Sequence, residues 1–152
     1  RTLGVKIGAD VPLFLYGTSC IMRGIGEKIT PLVLPALWYV IVYPNVVLST
    51  KAVYEGLKIV LTKGENDIKL SGNFNSSYDI AGILENDLEK VGITMCPQIT
   101  SVKHRLQETG AVGALMSGSG SSVFGLFHSE EEAKRTSAMV GDMGSVFVVH
   151  SL

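Results

Sequence analysis

Residues 111–127 read AVGALMSGSGSSVFGLF, two short apolar runs separated by glycine and serine. Apolar, β-favouring runs bounded by turn residues predict strands. The stretch therefore predicts a strand, a connection from Ser117 to Ser122, and a second strand. Upstream, PQITSVKHRLQETG (97–110) predicts a helix. Pro97 suits its first turn and Gly110 its C-terminal stop, and Ile99, Val102 and Leu106 fall on one face. Downstream, Ser129 and Glu132 form an S-x-x-E capping box for a helix to about Val140, and SVFVVHSL (145–152) closes the chain as a strand.

Further out, LWYVIVYP (37–44) is a continuous apolar run, which suits a strand buried on both faces. Ser49 or Thr50 can cap the next segment, where Val53, Leu57, Val60 and Leu61 recur at helical spacing. KGENDIKLSGNFNSS (63–77) reads as a polar, glycine-containing loop. Asp79 opens another helical pattern, with Ile80, Leu84, Leu88 and Val91 on one face. From Ala36 the order is strand, helices, strand, strand, helix, strand. That order predicts an α+β fold of the ferredoxin-like, split βαβ kind, an α-β plait. Residues 1–35 differ. TSCIMRGIGEKITPL (18–32) predicts a hairpin of Ser19–Arg23 and Glu27–Leu32 around Gly24 and Gly26. Pro31 and Pro35 then mark a boundary near Pro35.

The bulk numbers bound the function. A chain of 152 residues is about one domain, or one domain and a piece of another. Hydrophobic content of 46% against 18% charged residues predicts an ordered, compact chain rather than a disordered one. The net charge is −1 with no long basic run, so no nucleic-acid footprint is expected. No apolar stretch approaches the roughly 20 residues of a membrane span, and no charged-then-apolar secretory signal is seen. Cys20 and Cys96 stand outside any CxxC or Cys/His cluster and read as ordinary thiols. His104, His128 and His150 have no metal-ligand spacing. The chain opens RTLGVKIGADVP, without methionine, which reads as the end of a helix already under way.

Two glycine-bearing stretches could carry chemistry. The Ser117–Ser122 connection is no Walker A loop, because no Lys-Ser/Thr pair follows its glycines. It is no dinucleotide fingerprint either, since Val123 stands where the third glycine belongs and a strand, not a helix, follows. One reading makes it a six-residue hairpin connection with glycines for turn geometry. The other makes it a nest of backbone N–H groups and hydroxyls facing an anion. In GADVPLF (8–14), Asp10 suits the cap of a short helical turn with Pro12 just inside it. A general base beside a hydroxyl is the functional alternative.

Taken in order, GADVPLFLYG (8–17), RGIGEKITPL (23–32), YPNVVLSTKAVYEGL (43–57), NDLE (86–89) and GALMSGSGSSVFGLF (113–127) resemble the 4-diphosphocytidyl-2-C-methyl-D-erythritol kinase family of the GHMP kinase superfamily. The resemblance covers Lys6 to about Val140. It implies a GHMP kinase C-terminal domain over 36–152, preceded in 1–35 by a remnant of the N-terminal domain. It also implies that the ATP-wrapping glycine-serine loop and an assisting lysine belong to an N-terminal domain this chain does not contain. ATP and Mg²⁺ are then expected of the intact parent, no cofactor-binding residue or metal site is expected here, and the chain alone is expected to be inactive.

By the same resemblance, Asp10 matches the catalytic aspartate that accepts the proton of the attacking 2-hydroxyl. Thr50 and Tyr54 match the segment lining the cytosine pocket, with core packing as the other role open to Tyr54. Gly118, Ser119 and Gly120 match the third superfamily motif near the substrate, a support of the active-site wall more than an independent phosphate cradle. Asn86 and Asp87 match an Asn-Asp pair, for which a solvated or capping role is expected. The implied partners are a cytidyl diphosphate substrate and the N-terminal domain, with no nucleic acid and no membrane. The implied setting is the bacterial cytoplasm, with a plastid stroma as the other. A homoserine- or mevalonate-type kinase and a non-catalytic ferredoxin-like ligand-binding module are the alternatives.

Overall fold

The computed structural model describes residues 8, 11–26, 28–57 and 74–151. The first part is small. Helix α1, Val11–Tyr16, leads into strands β1 (Cys20–Arg23) and β2 (Lys28–Pro31). These pair antiparallel, Cys20 opposite Pro31 and Arg23 opposite Lys28, as a sheet of their own. The reversal needs backbone that ordinary residues avoid, and Gly24 (φ 70°) and Gly26 (φ 97°) supply it.

The second sheet is built from β3 (Trp38–Tyr43), β4 (Gly113–Met116), β5 (Val123–Phe127) and β6 (Ser145–His150). Its order is β4-β5-β3-β6 and every pairing is antiparallel. β3 and β4 are separated by β5, and β5 and β6 by β3. Both crossovers therefore skip a strand, which is the split βαβ topology of the ferredoxin-like plait. The crossovers carry α2 (Thr50–Gly56), α3 (Ser77–Ala81), α4 (Glu89–Met95), α5 (Gln98–Glu108) and α6 (Glu130–Met139), followed by a 3₁₀ turn at Gly141–Met143.

Side chains alternate across a sheet, and residues opposite each other share a face. Val40 and Val42 of β3, Val123 and Phe127 of β5, and Ala114 and Met116 of β4 share one face. They pack with Ile99, Val102 and Leu106 of α5, Ala133 of α6 and Val53 of α2. Full burial of such an apolar side chain contributes about 1.5–3 kcal/mol, so this face anchors the fold. The helix over 97–110 has the expected face. Gly110, at φ 112°, stops it, and Pro97 is its cap rather than a residue of its first turn.

The expectation that β3 is buried on both faces is corrected. Only Val40 and Val42 are fully buried, and the other residues of the strand are partly buried. On the second face Tyr39 and Ile41 lie beside Leu126 and Phe124, and toward β6 beside Val149 and Phe147. Phe147 remains 55% exposed and Val149 40%. α3 covers the β4–β5 end of this face, where Ile80 and Leu84 pack against Leu126. Gly113 permits that approach, because a Cβ there would lie 2.9 Å from Leu84 and 3.0 Å from Ala81.

The helical pattern expected from Asp79 through Val91 divides. α3 ends at Ala81 and α4 begins at Glu89, so Ile80 and Leu84 join the second-face cluster while Leu88 and Val91 join the main core. α3 begins at Ser77, two residues before Asp79, and Ser76 caps it. Its Oγ accepts the Asp79 N–H, and Asp79 Oδ2 accepts from the Ser76 hydroxyl and from the Asn75 and Ser76 N–H groups. The Ser76 hydroxyl first, then the Asn75 amide, hold this carboxyl below the usual aspartate range. At α6 the expected box is half formed. Ser129 Oγ accepts the Glu132 N–H, but Glu132 Oε2 accepts from His128 N–H, one residue earlier than the cap. The helical segment expected from Val53 to Leu61 ends at Gly56, with Leu57 as its extended C-cap. Val60 and Leu61 lie outside the described residues.

Candidate functional site

The connection between β4 and β5 is a tight turn. Ser117 N–H donates to Ser122 O and Gly120 N–H to Ser117 O, both at 2.9 Å. Gly118 (φ 55°) and Gly120 (φ 82°) take the left-handed backbone it requires. Ser121 is buried, and its hydroxyl donates to Val46 O at 2.5 Å, which ties the loop to the β3–α2 connection. Ser119 makes a different contact. Its Oγ lies 2.9 Å from Thr50 Oγ1, across 69 residues of sequence. A Cβ on Gly118 would meet nothing within 4 Å, so open space adjoins the turn there.

Thr50 is the first residue of α2, with Ser49 as its cap through the Ala52 N–H at 3.3 Å. Tyr54 stands four residues on, so it shares Thr50's side of the helix. Val53 takes the core position and is fully buried, while Tyr54 is 57% exposed. A core-packing role for Tyr54 is therefore excluded by the structure. Its ring is available at the surface that also carries Thr50 and Ser119.

Asn86 is where the geometry departs from the expectation. The anticipated solvated or capping role accounts for one bond, Leu88 N–H to Oδ1 at 3.0 Å. Its Nδ2 donates to Met116 O and to Gly118 O, each at 2.8 Å. The side chain is half-buried against the entering limb of the glycine loop. The local sequence signals only the Asx turn before α4. The two donors reach partners 30 and 32 residues away, which no local pattern encodes.

Asp10 lies outside the described residues. Next to it in sequence, α1 starts with Val11 N–H bonded to Gly8 O at 3.2 Å. On the second face of the sheet, a hollow of about 410 Å³ is lined by Tyr39, Ile41, Ser117, Ser122, Phe124, Val149 and His150. Tyr39 and Phe124 meet edge to face at 6.0 Å, and burial raises the Tyr39 hydroxyl above its ordinary range.

The three histidines are engaged locally. His104 Nδ1 lies 3.3 Å from the Glu108 carboxylate, His128 Nδ1 bonds the Ser77 hydroxyl beside Tyr78, and His150 Nδ1 bonds Ser151 O. Among the described residues no cluster of three or more His, Cys, Asp or Glu could hold a metal ion. No described helix is long and apolar enough to cross a membrane. From Leu106 to Ala133 the chain has neither Lys nor Arg. The loop itself thus offers hydroxyls and glycine backbone without a cation of its own.

The chain is 45% identical over 148 residues to a 4-diphosphocytidyl-2-C-methyl-D-erythritol kinase from Geobacter metallireducens, which covers 97% of this chain and 52% of that protein. The like-named kinase of Syntrophus aciditrophicus is 40% identical over 153 residues, 99% of this chain and 54% of that one. The chain thus spans about half the length of the curated relatives it matches. A crystal structure of 4-(cytidine 5'-diphospho)-2C-methyl-D-erythritol kinase superposes with a TM-score of 0.75 at 28% identity, over 96% of this chain and 54% of that one. A homoserine kinase from Cytophaga hutchinsonii shares the fold, with a TM-score of 0.70 at 23% identity over 93% of this chain and 50% of that one. The family described as GHMP kinases C terminal matches residues 66–146, and with that match the chain belongs to the GHMP kinases.

Proposed function

We propose that this chain is the substrate-side part of an ATP-dependent kinase that phosphorylates the 2-hydroxyl of 4-diphosphocytidyl-2-C-methyl-D-erythritol, a step of non-mevalonate isoprenoid synthesis. The observation that carries the reading is 40–45% identity to kinases of that name along nearly the whole chain. In this reading residues 36–152 are the C-terminal domain and 1–35 the end of the N-terminal one. The protein would work in the bacterial cytoplasm or a plastid stroma.

Each residue then has a role. Tyr54 flanks the cytosine, and Thr50 lines the same pocket. Gly118, Ser119 and Gly120 form the wall beside the substrate, with Ser119 held by Thr50. Asp10 takes the proton of the 2-hydroxyl as that oxygen acquires the phosphoryl group, since phosphoryl transfer depends on an oriented nucleophile. In this reading the ATP·Mg²⁺ site is completed by residues outside this chain, which spans about half the length of its relatives. Turnover is therefore expected of the longer protein and not of these 152 residues alone.

The test is a substrate comparison on the full-length protein with ATP and Mg²⁺. ADP formation is expected with the cytidyl diphosphate substrate and not with homoserine or mevalonate. Faster turnover of either of those would replace this reading with the other kinase class.

Tyr54→Ala supplies a residue-level check. Base–aromatic stacking is worth about 1–3 kcal/mol, and each 1.4 kcal/mol is tenfold. KM for the cytidyl substrate should rise roughly 5- to 140-fold, with kcat little changed, because a contact remote from the transferred phosphoryl is uniform binding. Steady-state kinetics read the split. An unchanged KM would remove Tyr54 from the pocket.

A further inference from the structure

We propose that Asn86 is a positioning residue for the substrate wall, acting by holding the glycine-serine loop in its working geometry. The proposal rests on the reading of Gly118, Ser119 and Gly120 given above. It concerns a residue for which the sequence alone predicts only solvation or capping.

A side-chain carboxamide has two N–H donors and one carbonyl acceptor. Asn86 uses all three: Nδ2 to Met116 O, Nδ2 to Gly118 O, and Oδ1 from Leu88 N–H. Met116 is the last residue of β4, itself buried, and Gly118 opens the left-handed turn. Two carbonyls two residues apart therefore converge on one amide. This sets the path of the chain between the rigid strand and Ser119. Ser119 then meets the Thr50 hydroxyl. Asn86 secures the entering limb of the loop and Ser121, through Val46 O, the leaving limb.

The arrangement has an electrostatic consequence. Carbonyl oxygens carry partial negative charge and would repel an anionic substrate. Asn86 takes up two of them from behind. What the turn has left to present to an anion is then its backbone N–H groups other than those of Ser117 and Gly120, which are bonded within the turn, the favourable kind of backbone dipole. No other small side chain can do this. Aspartate offers acceptors to two acceptors, serine has one donor, and glutamine carries an extra methylene.

The experiment compares Asn86→Asp and Asn86→Ala with the wild type in the full-length protein. Amide hydrogen exchange is measured without substrate, and kinetics with ATP, Mg²⁺ and the cytidyl substrate. Asn86→Asp is expected to speed exchange at 117–120 while leaving α5 (Gln98–Glu108) unchanged. It is expected to lower kcat/KM by about 10²-fold, the scale of a roughly 1 Å misplacement in a site. Asn86→Ala, which removes the bonds without adding repulsion, should lose less, on the order of tenfold, the worth of a typical intramolecular hydrogen bond. Unchanged exchange in the loop overturns the proposal. So does faster exchange spread equally through α5, which marks a general stability role, or kcat/KM for both variants within a few-fold of wild type. If Asn86→Asp does not fold, Asn86→Ala decides by the same criteria. A wild type inactive on the cytidyl substrate overturns the functional reading instead, while the exchange arm still judges the loop.

Discussion

Replacing Asp10 by Asn in the full-length protein is expected to lower kcat by about 10²–10⁴-fold with little change in substrate KM. General-base assistance is typically of that size, which is roughly 3–5 kcal/mol of barrier at 1.36 kcal/mol per decade. The substitution separates two roles available to an aspartate just before a helix. Asparagine caps a helix about as well as aspartate does, so the fold of α1 should survive. It cannot accept a proton from the attacking hydroxyl. Single-turnover and steady-state rates, with a thermal melt as the control for folding, measure the effect. Turnover within a few-fold of wild type would make Asp10 a cap alone.

Gly120→Ala is expected to give the next largest effect, and on stability. Gly120 sits at φ 82°, where a side chain costs about 1–3 kcal/mol. A Cβ there would also lie 2.7 Å from Met116 Sδ and 3.2 Å from Leu48 Cδ1. Met116 is fully buried, and a Cβ on Gly92 would collide with the same sulfur. The sulfur is thus closely packed by both glycines and has little room to give. Overpacking of this kind adds about 1–3 kcal/mol. Gly118→Ala is the control, because its φ of 55° imposes strain but its Cβ would meet open space. In denaturant unfolding of the full-length protein, Gly120→Ala should be the more destabilising by the overpacking share. Equal losses would show that only backbone strain matters.

Much of the loop is legible in the amino-acid sequence. Its glycines, its serines and the strands on either side stand in consecutive residues, and the pattern of Ile99, Val102 and Leu106 marks the helix that covers them. Strand and helix identities are set by local spacing, so they can be read, and with them the plait topology. The apolar run of β3 misleads for a physical reason. Leu37–Pro44 is equally apolar at odd and even positions, and only the packing shows that Val40 and Val42 join the main core while Tyr39 and Ile41 on the other face are only partly covered. The division of 79–91 between α3 and α4 is hidden likewise. Leu84 and Leu88 keep helical spacing, yet they serve opposite sides of the sheet.

By itself, the sequence determined the element types, the glycine turns and the residue kinds from which a kinase wall can be built. Such features depend on neighbours within about one turn or one strand pair. Only the tertiary structure decided that Thr50 reaches Ser119, that Tyr54 is exposed beside a buried Val53, and that Asn86 rather than its neighbours holds the loop. Those contacts join positions 30 to 69 residues apart. A hydrogen bond between side chains forms only when packing brings donor and acceptor to about 3 Å, and that distance is a property of the closed core, not of any segment within it.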